Sequence, residues 1–325
     1  MARAAEYVPE YEHAGNGDYR ARSPSDISFR GWRAIAGRVK EQIAFDHLSI
    51  IAAGVAFNLF LALFPMVIAA VSVYGLMIDA ATLERHLGTL TGLLPSEAEA
   101  LVTERLQTLI LTSNQTLGWG LLLSLLVTLW AANRGTKALF EGINIAYNAQ
   151  HSRGFFRKNA ITLLFTFGGL VFGGLVLALL IAVPAAANAL PLPEIAITII
   201  QFAVWPLLFF LIIIALGIAY KIAPVRRNPQ VRWVTVGSLI AAIIWIVGSG
   251  LFSYFVANFT NYDATYGSVA AVVVLMLWLF LTSFVVLLGA EINTEVELQT
   301  AEDTTVGEEN PMGERDAYHA DNVAD

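Results

Sequence analysis

Polar and apolar residues are segregated along this chain into long blocks. Stretches free of charged residues run from Leu48 to Ile78, Gln107 to Asn133, Asn159 to Pro193, Ile195 to Tyr220, Trp233 to Tyr262 and Ala264 to Ala290. Each exceeds the ~20 apolar residues that cross a hydrocarbon core about 30 Å thick. The pattern predicts an all-α, polytopic integral membrane protein. Its membrane domain, 48–297, is a six-helix transmembrane bundle with spans at about 48–78, 114–133, 159–183, 195–220, 233–256 and 267–290. Before it lie a polar segment, 1–27, expected as a disordered tail, and an amphipathic helix, 28–47. After it comes an acidic segment, 298–325, also expected as a disordered tail.

Local signals refine this outline. Trp32, Ile35, Ala36, Val39 and Ile43 share one helical face, with Arg30, Arg33, Lys40 and Glu41 away from it. A basic amphipathic helix beside a span reads as interfacial, lying on an anionic leaflet; a helix packed on adjoining loops is the alternative. Between the first two spans, Leu83, Leu87, Leu90 and Leu94 repeat at helical spacing before Pro95, and Ser96-x-x-Glu99 forms a capping box. An outer helical hairpin is expected there. Inside the spans, Asn58, Pro65 and Pro206 are candidate polar and kink positions, because a proline in a spanning helix frees a carbonyl. Gly168, Gly169, Gly173, Gly174, Gly248 and Gly250 suit close helix approach.

Composition agrees: 57% of the 325 residues are hydrophobic and 14% charged, with mean hydropathy +0.64, against about 25% charged in soluble domains. No cysteine is present, which removes disulfides and thiolate chemistry. The five histidines are scattered, so neither a metal nor a cofactor is expected. The net charge of −7 comes from residues 291–325, which hold eleven acidic side chains and Arg315. Lysines and arginines number seven before the first span, then two, five, none, four and none in the successive connections. By the positive-inside rule both termini are cytoplasmic. A multi-pass protein of the bacterial cytoplasmic (inner) membrane is expected, its first span acting as an uncleaved signal anchor.

Where the second span ends, the text reads LWAANRGTKALFEGINIAYN (129–148). Asn133, Lys137, Glu141, Asn144 and Asn148 fall on one helical face. The stripe reads either as a helix leaving the membrane or as the inner rim of a lipid path. Candidate anion or lipid contacts at that rim are Arg134, Lys137, Glu141, Asn144, Arg157, Lys158 and Glu291. Glu291 sits at a helix C-terminus, where a carboxylate opposes the helix dipole. It is therefore expected to pair with Arg134, Lys137 or Arg157.

Four stretches resemble the YihY/BrkB family of bacterial inner-membrane proteins: GVAFNLFLALFP (54–65), residues 129–148, YKIAPVRRNPQVRW (220–233) and YGSVAAVVVLMLWLFLTSFVVLLGAEINTEVE (266–297). The resemblance spans roughly residues 30–297 and implies six spans with both termini inside. It implies no settled activity: members have carried the label ribonuclease BN, and have been linked to serum resistance and to lipopolysaccharide-precursor export. The chain departs from the usual pattern at Asn58, commonly aromatic, and at Ala62, frequently serine.

Among functions, a nuclease lacks its needs, a carboxylate or histidine cluster; the basic stretches already follow from topology, so no nucleic-acid partner is expected and the protein is not read as an enzyme. The leading expectation is a transporter or flippase-like exporter of a lipid or amphipathic anion, serving envelope maintenance, with anionic membrane lipids as partners. A non-transporting scaffold or regulator of envelope assembly and a small-solute or ion channel are the alternatives. A homo-oligomer and a protein partner for the tails are left open.

Overall fold

The computed structural model describes residues 18, 20–77, 114–149, 153–191, 193–258 and 268–324. Its long elements are all helical: α1 (Phe29–Phe45), α2 (Leu48–Met77), α3 (Asn114–Ala146), α4 (Phe155–Ala189), α5 (Glu194–Ile222), α6 (Val231–Asn258) and α7 (Ser268–Glu297), with a short α8 (Tyr318–Asp321) near the end. Among the described residues four helices, α4 to α7, are long and apolar enough to cross a membrane. The count is five if α1 and the first part of α2, bent by 63°, form one span. The expected second span falls in α3. The outer hairpin lies outside the described residues.

The start of α1 is set by Ser28, whose hydroxyl accepts the Gly31 N–H at 3.1 Å. This satisfies one of the free donors at a helix N-terminus. The helix ends at Asp46, and His47 takes a left-handed conformation (φ 51°), which produces the elbow into α2. Ile35 and Val39 are buried, but their cover is protein: Trp233 of α6 and Ile292 and Val296 of α7. The apolar face expected to lie on lipid is spent on the bundle's own base, and Arg30, Arg33 and Lys40 face outward.

Helix α7 is central, packing against α6, α2, α3 and α1. The main core joins Leu48 and Ala52 of α2, Phe140 and Ile143 of α3, Tyr220 of α5 and Leu287 of α7. These residues lie at the end of the bundle where the Arg- and Lys-rich connections gather, called here the basic end. Farther along the helices large apolar side chains face outward, such as Phe167, Phe202 and Leu251. On a helix with no water-soluble face, that outward surface suits lipid. A Cβ added at Gly168, Gly169, Gly173, Gly174 or Gly250 would meet nothing within 4 Å among the described residues, and one at Gly248 would make only ordinary contact with Leu281. Close helix approach falls instead at Gly237 and Gly289, between α6 and α7.

The acidic C-terminal segment departs from expectation: residues 298–324 are folded, and so are residues 21–27. Residues 1–17 lie outside the described residues. The guanidinium of Arg315 donates to the carbonyls of Ala301 (2.9 Å), Glu302 (3.2 Å), Asn310 (3.0 Å) and Ala320 (2.6 Å). Asp321 accepts the N–H groups of Gly313 and Arg315. Burial alone would push the carboxyl of Asp303 up, but hydrogen bonds from Asn310 and Thr305 hold it below its ordinary value. Acidic residues thus cap the segment's own backbone, an order that apolar content does not register. The Thr300 hydroxyl donates to the Ala21 carbonyl (2.8 Å), and a bridge joins Pro229 to Thr305.

Candidate functional site at the basic end of the bundle

The polar stripe of α3 divides into parts with different jobs. At its start Asn133 is buried against α4. The Thr166 hydroxyl lies 2.7 Å from the Thr162 carbonyl, 2.8 Å from the Thr136 hydroxyl and 3.4 Å from the Asn133 side-chain oxygen. Two turns beyond Asn133, Glu141 pairs with Lys158 at 3.1 Å. Both side chains are about half exposed, so the pair contributes little, roughly 0–1 kcal/mol. These contacts set an antiparallel α3–α4 register that brings Lys137, half-buried, between them.

Asn144 holds the connection between α5 and α6. Its amide nitrogen donates to the carbonyls of Phe140 (2.6 Å) and Ala223 (3.2 Å), and its oxygen accepts the Val225 N–H (2.9 Å). Arg153 completes this end of α5 by donating to the carbonyls of Ile222, Ala223 and Pro224, a cation at a helix C-terminus. Asn144 is therefore structural. Replacing it with alanine leaves the Val225 N–H and Ala223 carbonyl short of partners and is expected to cost about 1–3 kcal/mol. Reduced thermal stability in detergent checks this.

Of the candidate rim cations outside the Glu141–Lys158 pair, Arg134 and Arg157 are exposed and Lys137 is half-buried. Arg134 lies 5.3 Å from the ring centroid of Trp130, itself exposed. Arg157 follows Phe155 and Phe156, which are 75% and 87% exposed. Each is a basic group beside bare aromatic surface, the composition of a membrane–water boundary.

Glu291 departs from its expected pairing. It is fully buried, and neither of its oxygens accepts a hydrogen bond among the described residues. The charged groups acting on it are the carboxylates of Asp46, at the elbow, and Glu295; no hydrogen bond of ordinary geometry joins Asp46 to it. The nearby cation, Arg38, binds Glu295 (2.6 Å) and Gln299 (2.9 Å) instead. The rotation of α7 turns Glu291 toward the elbow and away from the basic loops. Of the positions inside the spans, Asn58 donates to the Gly54 carbonyl of its own helix (2.8 Å). Pro206 is exposed on α5, and α2 runs through position 65.

Two features had no signal in the sequence. Arg226 and Glu297 form a buried ion pair at 2.8 Å, and the Arg226 guanidinium stands 5.2 Å from the ring centroid of Tyr147. Beside them His319, edge-on to Tyr147, is pushed down to about 3 by burial and by Arg226, which keeps it neutral. A cleft of about 260 Å³ opens between Tyr147, Arg226, Asp316 and Tyr318. Among the described residues no three histidine or carboxylate side chains gather as metal ligands.

Comparison with known proteins fits a membrane protein built around this base. The family model described as "Virulence factor BrkB" matches residues 39–312. The putative ribonuclease-like protein YfkH of Bacillus subtilis (strain 168) is 30% identical over 249 residues, covering 74% of this chain and 87% of the relative. A UPF0761 membrane protein of Psychromonas ingrahamii is 34% identical over 92 residues (28% of this chain, 31% of the relative). One of Tolumonas auensis is 40% identical over 74 residues (22% and 24%). No solved structure matches. The match runs from within α1 into the folded C-terminal segment: this chain belongs to the BrkB family of membrane proteins.

Proposed function

We propose that the protein moves a lipid or amphipathic anion out of the inner leaflet of the bacterial cytoplasmic membrane, with its basic end toward the cytoplasm. The observation that supports this most directly is the pairing of exposed cations with bare aromatic surface at that end: Arg134 on Trp130, and Arg157 beside Phe155 and Phe156. A headgroup phosphate is held by the guanidinium groups while its chains stay against the apolar helix surface. Next to Arg134, Asn133, Thr136 and Thr166 form a polar cluster between α3 and α4.

The test is a reconstituted assay of lipid movement between leaflets. The double substitution Arg134→Ala/Arg157→Ala is expected to slow transfer of an anionic lipid at least about tenfold, as loss of two charge-assisted contacts of about 1.5 kcal/mol or more implies. A zwitterionic lipid should be less affected. Transfer unchanged by the double substitution removes the rim contacts, and no movement of any lipid leaves the scaffold reading. That second reading has one structural support of its own, the folded C-terminal segment with its cleft at Tyr147 and Tyr318. Deleting residues 298–325 does not separate the readings, because the segment holds the base together.

A further inference from the structure

Among the described residues Glu291 is the carboxylate that is fully buried with both oxygens unpartnered. Its surroundings can be followed element by element. Asp46, at the elbow between α1 and α2, presents a carboxylate to it. Glu295, one turn along α7, presents another, but that one is held by Arg38 of α1 and also faces Glu41. From the turn that follows α3 comes the phenol of Tyr147. From α6, Gly237 binds the neighbouring Asn293 rather than Glu291. No cation is among the groups acting on Glu291.

An ionised carboxylate with no water, donor or counter-charge is among the most costly states a side chain can adopt, and a second carboxylate opposite raises the cost further. A proton removes both penalties. We propose that Glu291 is a proton-binding site, loaded and unloaded through Asp46. Asp46 is half-exposed and accepts a hydrogen bond from the Gln42 amide at 3.3 Å, so it reaches solvent where Glu291 does not. A proton passes from water to the Asp46 carboxylate and then from the Asp46 carboxyl to the Glu291 carboxylate. No bond between heavy atoms changes, and the pair keeps a single negative charge during the second step. The elbow that positions Asp46 is the 63° break between α1 and α2, with His47 left-handed beside it. Movement of α1 at this elbow connects or separates the two carboxyls. Use of the site to couple export to proton movement rests on the exporter reading; the site itself does not.

The experiment is infrared spectroscopy of the purified full chain in detergent at neutral pH. A deuterium-sensitive band of a protonated carboxyl is expected in the wild type and lost in Glu291→Gln. Glutamine imitates the protonated side chain, so Glu291→Gln should fold, melt at the wild-type temperature in acid, where the carboxyl is protonated in both states, and melt above it at neutral pH. The linkage has a definite sign. The folded state keeps a proton that the unfolded state releases, so this stabilisation is lost as pH rises, by up to about tenfold in the unfolding constant per pH unit. As pH rises above the ordinary carboxylate range the wild type should therefore lose stability relative to Glu291→Gln. Absence of the band in the wild type, or its persistence in Glu291→Gln, overturns the proposal. So does stabilisation by sodium or potassium that needs Glu291 while no band is seen, which assigns the site to a metal cation. The band is read without any transport, so a protein that moves no lipid can still show it; the exporter reading then fails and the proton site stands.

Discussion

Gly237→Ala is expected to prevent α6 and α7 from closing on one another. A Cβ at position 237 would collide with the carbonyl oxygen of Gly289 and come within 2.6 Å of the Asn293 side chain. The first obstacle is backbone and cannot rotate away. Gly289→Ala meets a related obstacle, the hydroxyl of Tyr220, which donates to the Val286 carbonyl at 2.7 Å and is fully buried. Overpacking of this kind costs about 1–3 kcal/mol and occasionally more. Because the helices must separate along a shared face, the upper end of that range is expected. Folded, monodisperse yield in detergent is the measurement, with Gly250→Ala as the reference, since nothing stands within 4 Å of its Cβ. Equal yields for Gly237→Ala and Gly250→Ala would mean that α6 and α7 do not meet here.

The second large effect belongs to Arg226. Its ion pair with Glu297 is almost dry, with side chains 3% and 0% exposed. Removing one partner from a buried pair costs about 3–5 kcal/mol, because the other charge is left without compensation. Arg226→Ala should lower stability by that amount, leaving Glu297, among the described residues, the Thr304 hydroxyl at 3.2 Å as its side-chain donor. Adding Glu297→Gln to the same chain should recover part of the loss, since the stranded charge is then gone. The exposed pair Glu141–Lys158 provides the contrast: Glu141→Ala should change stability by no more than about 1 kcal/mol. If the double variant is no more stable than Arg226→Ala alone, the loss comes from Arg226's packing on Tyr147 rather than from its charge.

Helix positions were readable from the sequence and helix rotations were not. Helix α2 starts at Leu48, where an uncharged block begins, and α7 at Ser268, a turn into another. The apolar face of α1 was also readable, since Trp32, Ile35, Val39 and Ile43 repeat at helical spacing, although the surface covering it proved to be protein. Inside α7 nearly every position is apolar, so periodicity carries no information about which side looks inward. Glu291 was therefore placed near the right loops and on the wrong side. The C-terminal segment was hidden for another reason. Its order depends on one arginine and on carboxylates serving as backbone acceptors, and composition counts those residues as signs of disorder. Asn144 was recognisable as part of the stripe, but its role as a clamp on Val225 depends on a loop 81 residues away.

The hydrogen bond from the Gln299 amide to the Asp18 carboxylate spans 281 positions of the chain, and the Arg38–Glu295 pair spans 257. Both ends of the protein are thus tied together at one place, which gives its biosynthesis an order. When α1 leaves the ribosome, the residues that will cover Ile35 and Val39 are still untranslated. Throughout the insertion of α2 to α5 that face lacks its cover from α6 and α7. A basic helix with a bare apolar stripe beside a bilayer rests on the headgroups. The interfacial helix that the sequence describes is then a state of the growing chain, and the packed helix of the finished fold replaces it once Ile292 and Val296 arrive.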